Sequence, residues 1–359
     1  MSDIVHVAVA VIVNTNNEVC ISLRHKKTHQ GGLWEFPGGK VEHGESIKQA
    51  LVREIREELN LEIKQSRPLI TINHNYHDKA VCLHVCKVIL YQGEATGLEG
   101  QQVKWLPVSQ LSANDFPAAN RPIIKALQLP DKYLITGKFT DSDDFFYKLK
   151  NALNSGIKLV QLRLKDNVII APPSWLSAKY LPSVDIKDKS MKENSREGIS
   201  QLQFLLEQSA ELCKQADVNL MLNLSADDLR SIDLSKIEFA GFHADSKTLN
   251  TLSQRPVEVF KARPRGGLFS ASCHNMEELL LAIKLNADFV VLSPVQKTAS
   301  HPDMPAMGWR QFSNLIENIS VPVYALGGVS ENDLEAAWQH GAQGIAAISA
   351  LWEREVRDS

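Results

Sequence analysis

Three glutamates, Glu54, Glu57 and Glu58, stand three and four residues apart in the run Gly39–Leu61, GKVEHGESIKQALVREIREELNL. On an α-helix those spacings set all three carboxylates on one face. Glu42 and Glu45 precede them, so one short segment carries five glutamates. Like charges at such spacing destabilise an isolated helix by roughly 0.2–0.5 kcal/mol per pair. A bound cation offsets that repulsion. Carboxylates with few other ligand types suit a hard ion, Mg²⁺ with Mn²⁺ as the alternative, rather than zinc. The competing reading is a solvated acidic helix held by ion pairs.

The helix that must present these groups is specified locally. Ser46-Ile47-Lys48-Gln49 fits a capping box with Ser46 as N-cap. Ile47, Leu51 and Ile55, with Ala50 beside them, form a buried stripe. Asn60 follows where a left-handed residue is wanted, a place for which asparagine ranks second to glycine. Upstream, Phe36-Pro37-Gly38-Gly39 is a tight turn that lets backbone approach a ligand closely.

Gly39, Glu45, Arg53, Glu54, Ile55, Glu57, Glu58, Asn60 and Leu61 together resemble the Nudix box, G-x5-E-x7-R-E-U-x-E-E-x-G-U, with Asn60 for glycine as the departure. The resemblance implies that Glu54, Glu57 and Glu58 hold the metals, with the Gly39 carbonyl as a further ligand. Glu99, in Leu98-Glu99-Gly100, matches another carboxylate that approaches the metals in such enzymes. Glu54 and Glu99 are the candidates for taking a proton from water. Arg53 is expected to orient the glutamates, braced by Glu45.

Residues 4–129 are similar to the MutT branch of that superfamily, through Trp34–Lys40 and the segment Asn114–Pro122, NDFPAANRP. This implies hydrolysis of 8-oxo-dGTP, with water attacking the β-phosphorus and release of a nucleoside monophosphate and pyrophosphate. A triphosphate repels a nucleophile, so a metal must neutralise its oxygens. Asn120 is the candidate reader of the base. In 8-oxoguanine N7 carries a hydrogen, so one amide can donate to O6 and accept from N7–H. The rival reading makes Asn120 the cap of the helix opening at Pro122. Phe36 and Asp78 match other pocket positions, and Arg24 and His29 are candidate nucleotide contacts. Asp78 reads equally as a turn residue. Lys79 stands where arginine is common.

At 359 residues the chain is expected to form two domains, 1–130 and 131–359, divided at Leu129-Pro130-Asp131. Its 44% hydrophobic and 23% charged residues are ordinary for a globular protein. A net charge of −3 gives no reason to expect duplex DNA or an anionic membrane, so the expected partner is a free nucleoside triphosphate. The five cysteines contain no C-x-x-C pair, which argues against a disulfide framework or a zinc site; Cys82 and Cys86 read as core packing on a strand. The run Val7–Val13 is too short to span a membrane and no basic leader precedes it, so a cytoplasmic location is expected.

In the first domain strands are expected at His6–Val13, Glu18–Leu23, Ile70–Asn75, Val81–Tyr91 and Val103–Leu106, with a helix from Pro122 to Leu127. From Tyr133 short apolar strands alternate with helices: Tyr133–Ile135, Leu159–Arg163, Asn219–Asn223, Phe239–His243, Leu268–Ser272, Phe289–Ser293, Val323–Leu326 and Gly344–Ile348. The fold class is α/β: a mixed sheet between helices, then a (β/α)8 barrel with an inserted loop at 167–198.

Residues 133–352 resemble the thiamine phosphate synthase and TenI superfamily through Val160–Asp166, Ser272–Asn275 and Ala325–Val329. Gln161, Arg163 and Lys165 alternate on one strand and are candidates for gripping phosphate; a polar strand end is the plain alternative. Gly327, Gly328 and Ser349 sit where barrels commonly bind phosphate through backbone amides. The resemblance implies a phosphorylated small molecule as ligand. Its metal carboxylates are missing: Leu224 follows Asn223, and Thr248 stands in the second aspartate's place, with Asp245 nearby. The phosphate loop reads Thr298-Ala299-Ser300-His301. Without metal ligands a diphosphate transfer loses its main charge neutralisation, so a degenerate barrel is expected. An active synthase, a tautomerase or a non-catalytic module are the alternatives.

Overall fold

The computed structural model describes residues 4–26, 30–76, 80–164, 193–254, 264, 266–298 and 305–353. Two compact units form. One comprises Met1–Asp131 with Pro305–Ala325 and Asn332–Gly344, the other Lys132–Met304, Leu326–Glu331 and Ile345–Ser359.

The first unit holds β1 (Val5–Ile12), β2 (Glu18–Leu23), β3 (Trp34–Glu35), β4 (Gly38–Lys40), α1 (Ile47–Leu59), β5 (Glu62–Asn75), β6 (Ala80–Gln92), β7 (Val103–Pro107) and α2 (Arg121–Gln128). A four-stranded mixed sheet runs β4-β1-β6-β5, and a three-stranded one β3-β2-β7. Strand β1 is parallel to β6 and antiparallel to β4. Alternation along β1 supplies two cores. Ala8, Ala10 and Ile12 pack with Ala50, Leu51, Ile55 and Leu59 of α1. Val9 and Val11 pack with Phe36, Phe116 and with Ile123 and Ile124 of α2. Each fully buried aliphatic side chain of these clusters contributes roughly 1.5–3 kcal/mol. The sheet thus lies between helices, as the resemblance implied.

Strand β5 begins at Glu62, eight residues before the expected start at Ile70. Its first half is irregular, with register shifts at Ile63/Gln65, Gln65/Ser66 and Pro68/Ile70. Proline cannot donate to a ladder, and the bulges break the alternation that marks a strand in sequence.

Eight strands close into a barrel: β8 (Lys132–Ile135), β9 (Leu159–Arg163), β10 (Asn219–Asn223), β11 (Gly241–Ala244), β12 (Leu268–Cys273), β13 (Phe289–Leu292), β14 (Val323–Leu326) and β15 (Gly344–Ala347). Pairs from β8 to β9, β9 to β10 and onward to β13 are parallel. Strand β11 starts at Gly241, two residues after the expected Phe239, although Ala240 already donates to the Leu220 carbonyl and accepts from Leu268 N. Val160, Leu162, Leu220 and Leu222 join Phe145, Leu149, Leu205 and Leu206 from α3 (Ser142–Asn154) and α4 (Glu193–Gln215). Residues 193–198, expected within the inserted loop, open α4; residues 167–192 lie outside the described ones. Among the described residues no helix is long and apolar enough to cross a membrane.

Candidate functional site

Helix α1 is capped as its sequence specifies. Ser46 Oγ accepts from Gln49 N, the Gln49 side chain accepts from Ser46 N, and Asn60 adopts φ 56°, ψ 30°. Its acidic face is organised by Arg53. Nε and Nη2 fork onto Glu45, both at 2.9 Å. Nη1 reaches Glu54 at 2.8 Å and Glu57 at 3.3 Å, and Nη2 also donates to the Lys40 carbonyl at 3.0 Å. All five guanidinium N–H donors are engaged, so Arg53 ties the helix and the preceding loop together. The paired Arg53 and the Glu42 N–H hold the Glu45 carboxyl below the usual carboxylate range. The bracing expected of Arg53 and Glu45 is present.

Glu54 lies against Gly39, which pairs with Ala8; a Cβ on Gly39 would overlap the Glu54 carboxylate. The missing Cβ leaves room for that carboxylate. Glu58 points inward and accepts from Gly38 N at 3.1 Å. Burial pushes its carboxyl up to about 8, with Glu35, Glu99 and Glu54 adding to the rise. Glu99 is brought there by the 94–101 loop, where Leu98 N and Gln101 Nε2 both donate to the Glu58 carbonyl. Glu57 is peripheral, its side chain 58% exposed. Glu54, Glu58 and Glu99 therefore gather at one end of the cleft with Glu35, a group the sequence reading missed. The oxygen-only donor set fits a hard divalent cation. Among the described residues no three of these carboxylates bring their oxygens within 4.8 Å of one another, an approach that mutual repulsion opposes until a cation is bound.

The proton on Glu58 gives a pH test. Its folded-state pKa lies above the ordinary value, so low pH favours the protonated fold and that stability is lost as pH rises through about 8. A cation must displace this proton. We expect Mg²⁺ affinity of the full chain to weaken about tenfold per unit as pH falls below about 8. Calorimetric titration between about pH 6 and 8 reads this, and a flat profile would remove Glu58 from the ligand set.

A cleft runs from these carboxylates over the sheet, lined by Arg24, Gln30, Glu35, Phe36, Tyr76 and Asn120. Arg24 pairs with Glu35, whose carboxyl is raised by burial against the pull of Arg24. Phe36 is buried and stacks on Phe116 at 5.3 Å. Asn120 is 8% exposed. It occupies the N-cap position of α2 but makes no side-chain cap bond. Among the described residues its Oδ1 finds no hydrogen-bond partner, and neither does Gln30 Oε1. Asn120 is therefore not a cap. Gln30 (φ 57°), Glu35 and Tyr76 were not singled out in the sequence, because only the fold brings them to Asn120. His29, Asp78 and Lys79 lie outside the described residues.

In the barrel, Gln161 is buried with Oε1 unpaired, and Arg163 follows it on the same side of β9. Lys165 lies outside the described residues. Gly327 and Gly328, at φ 98° and 68°, pack so closely on Pro294–Lys297 that side chains would not fit. Ser349 opens the short helix Ser349–Trp352 and is exposed. Leu224 is packed in the core, and Asp245 Oδ1 accepts from Thr248 N at 2.8 Å. The sequence reading missed His243, whose ring contacts Ser270 Oγ at 2.7 Å and Ser272 Oγ at 2.8 Å. Burial pushes its pKa down to about 3, so it is neutral.

Comparison with known proteins agrees with both folds. The NUDIX domain model matches residues 8–126, and the Thiamine monophosphate synthase model matches residues 132–351. Over 122 residues the chain is 38% identical to the 8-oxo-dGTP diphosphatase of Escherichia coli, covering 34% of this chain and 95% of that protein. The chain belongs to the Nudix family in its first part and to the thiamine monophosphate synthase family in its second. A candidate thiamine-phosphate synthase of Aquifex aeolicus is 29% identical over 227 residues, 63% of this chain and all of that protein. The CTP pyrophosphohydrolase of Escherichia coli is 32% identical over 118 residues, 33% of this chain and 87% of that protein. This protein is thus a Nudix hydrolase fused to a synthase-type barrel, and its first part supports nucleotide hydrolysis.

Proposed function

We propose that residues 1–130 form a domain that hydrolyses 8-oxo-dGTP to 8-oxo-dGMP and pyrophosphate with Mg²⁺, removing a mutagenic nucleotide from the pool. The observation that carries this reading is the buried, partnerless Oδ1 of Asn120 beside Phe36. A buried acceptor without a partner costs about 1–3 kcal/mol, which a ligand donor recovers. N7–H of 8-oxoguanine supplies that donor, whereas N7 of guanine presents a second acceptor. Cytosine also offers a donor, its exocyclic amine, and the likeness to a CTP pyrophosphohydrolase makes CTP the second substrate to test.

The cation, when bound, neutralises the phosphate oxygens and lowers the pKa of water. Glu54, Glu58 and Glu99 would hold it, with Glu57 and the Gly39 carbonyl as further ligands. Arg53 keeps Glu54 and Glu57 in place. Glu54 or Glu99 takes the proton of the attacking water. Arg24 and Phe36 position the nucleotide. Attack at the β-phosphorus breaks its bond to the α–β bridging oxygen, which leaves with the monophosphate. Hydrolysis in ¹⁸O-water followed by mass spectrometry tests this: the label is expected in pyrophosphate. Label in 8-oxo-dGMP means attack at the α-phosphorus and overturns the proposed step.

For residues 131–359 we propose a phosphorylated small-molecule ligand held without synthase chemistry. The unpaired Gln161 Oε1 inside the barrel favours a bound polar group, with Arg163, Lys165, Gly327, Gly328 and Ser349 as the phosphate candidates. Leu224 offers no carboxylate, and Asp245 is engaged with Thr248 N. The full chain, given the pyrimidine diphosphate and thiazole phosphate precursors of thiamine phosphate with Mg²⁺, is expected to form none. Product above a no-enzyme control would restore the active-synthase reading, with Asp245 the first replacement ligand to mutate.

A further inference from the structure

The mixed sheet carries a second group of ligand atoms, on its other face. In the parallel β1·β6 pair His6 stands beside Cys82, and His84 follows two residues along. A period of two places Cys82 and His84 on one face, together with Ala8 and Ala10 of β1, which pack towards α1. Val7, Val9, Val81 and Leu83 alternate with them and line the nucleotide cleft on the opposite face. The two sites therefore share strands but no side chains.

The three donors lie close together. His84 Nε2 lies 2.9 Å from His6 Nδ1 and 3.5 Å from Cys82 Sγ. All three ligand atoms lie within 4.8 Å of one another, the tightest such His/Cys/Asp/Glu group among the described residues. The imidazoles meet edge to edge, nearly coplanar, with centroids 5.2 Å apart and planes at 18°. One ring nitrogen cannot satisfy two neighbours with a single proton. A metal ion can satisfy all three. Bonds of about 2.0–2.1 Å to nitrogen and about 2.3 Å to sulfur give tetrahedral edges of about 3.3 Å between nitrogens and about 3.6 Å from nitrogen to sulfur. The His84–Cys82 separation matches the sulfur edge, and the two rings must turn so that their facing nitrogens part by a few tenths of an ångström and both point at the ion.

We propose that His6, Cys82 and His84 bind a borderline divalent transition metal of the zinc class, separately from the hard cation of the glutamates. Two imidazoles and a thiol select such an ion over Mg²⁺, which prefers oxygen. His6 is exposed, so solvent reaches the fourth position. Burial, with the Glu317 charge adding, raises the Cys82 thiol, so binding displaces a thiol proton. Cys82 is buried on β6, as its reading as core packing expects, and the absence of a C-x-x-C pair does not speak to a site assembled across two strands.

The test uses the full chain with Mg²⁺ in excess, to fill the carboxylate site, and Co²⁺ as the probe. One equivalent is expected to give a near-ultraviolet thiolate-to-cobalt band with visible tetrahedral bands, all bleached by Zn²⁺. Cys82→Ser should abolish the thiolate band. His6→Ala changes an exposed strand residue and should weaken Co²⁺ binding at least about tenfold while Mg²⁺-dependent hydrolysis continues. Circular dichroism confirms that both variants fold. Absence of the thiolate band in the wild-type chain, its survival in Cys82→Ser, or unchanged affinity in His6→Ala would each overturn the proposal. None of these results bears on 8-oxo-dGTP hydrolysis, so the two readings fail separately.

Discussion

Replacing Glu54 by glutamine is expected to lower nucleotide turnover by about 10²–10⁴-fold, the range for losing a positioned acid–base or metal-bound group. The substitution keeps the size of the side chain and one acceptor for Arg53 Nη1, which now lies 2.8 Å from Glu54. The room beside Gly39 is unchanged. The fold should therefore survive, and a thermal melt checks it. What is lost is one negative charge where Glu58 and Glu99 already gather. Turnover within a few-fold of wild type at saturating Mg²⁺ would remove Glu54 from the chemistry.

Asn120→Ala is expected to lower kcat/KM for 8-oxo-dGTP by roughly 5–150-fold, the equivalent of about 1–3 kcal/mol for an unpaired buried polar group. The loss for dGTP should be far smaller, because N7 of guanine carries no hydrogen to donate to Oδ1. Helix α2 should tolerate the change, since Asn120 makes no side-chain cap bond. Equal losses for the two nucleotides would show that Asn120 supports the cleft without reading the base.

The legible parts of this chain are those coded locally. The caps, the apolar stripe and the acidic face of α1 all follow from short-range spacing, and the structure realises each. Barrel strands such as Leu159–Arg163 and Val323–Leu326 were marked by apolar runs with clear ends. Strand β5 was half hidden, because its bulges at Gln65 and Pro68 erase the alternation. Site residues far apart in sequence were harder. Glu35 immediately precedes the glycine turn, but nothing local shows that it lies near Glu58. Gln30 and Tyr76 meet Asn120 only through the cleft. Ser270 and Ser272 alternate along β12, a signal of a polar barrel interior that could have been read, whereas their contact with His243 needed the neighbouring strand's register. His6 and Cys82 are matched only by strand pairing, which no spacing rule supplies.

The central claim is that the cleft selects an oxidised guanine nucleotide. The most direct measurement is kcat/KM of the full chain with Mg²⁺ for 8-oxo-dGTP, dGTP and CTP under one set of conditions. A site built to accept N7–H should favour 8-oxo-dGTP over dGTP by about 100-fold or more, and exceed CTP as well. Equal values for 8-oxo-dGTP and dGTP, or a preference for CTP, would contradict the account.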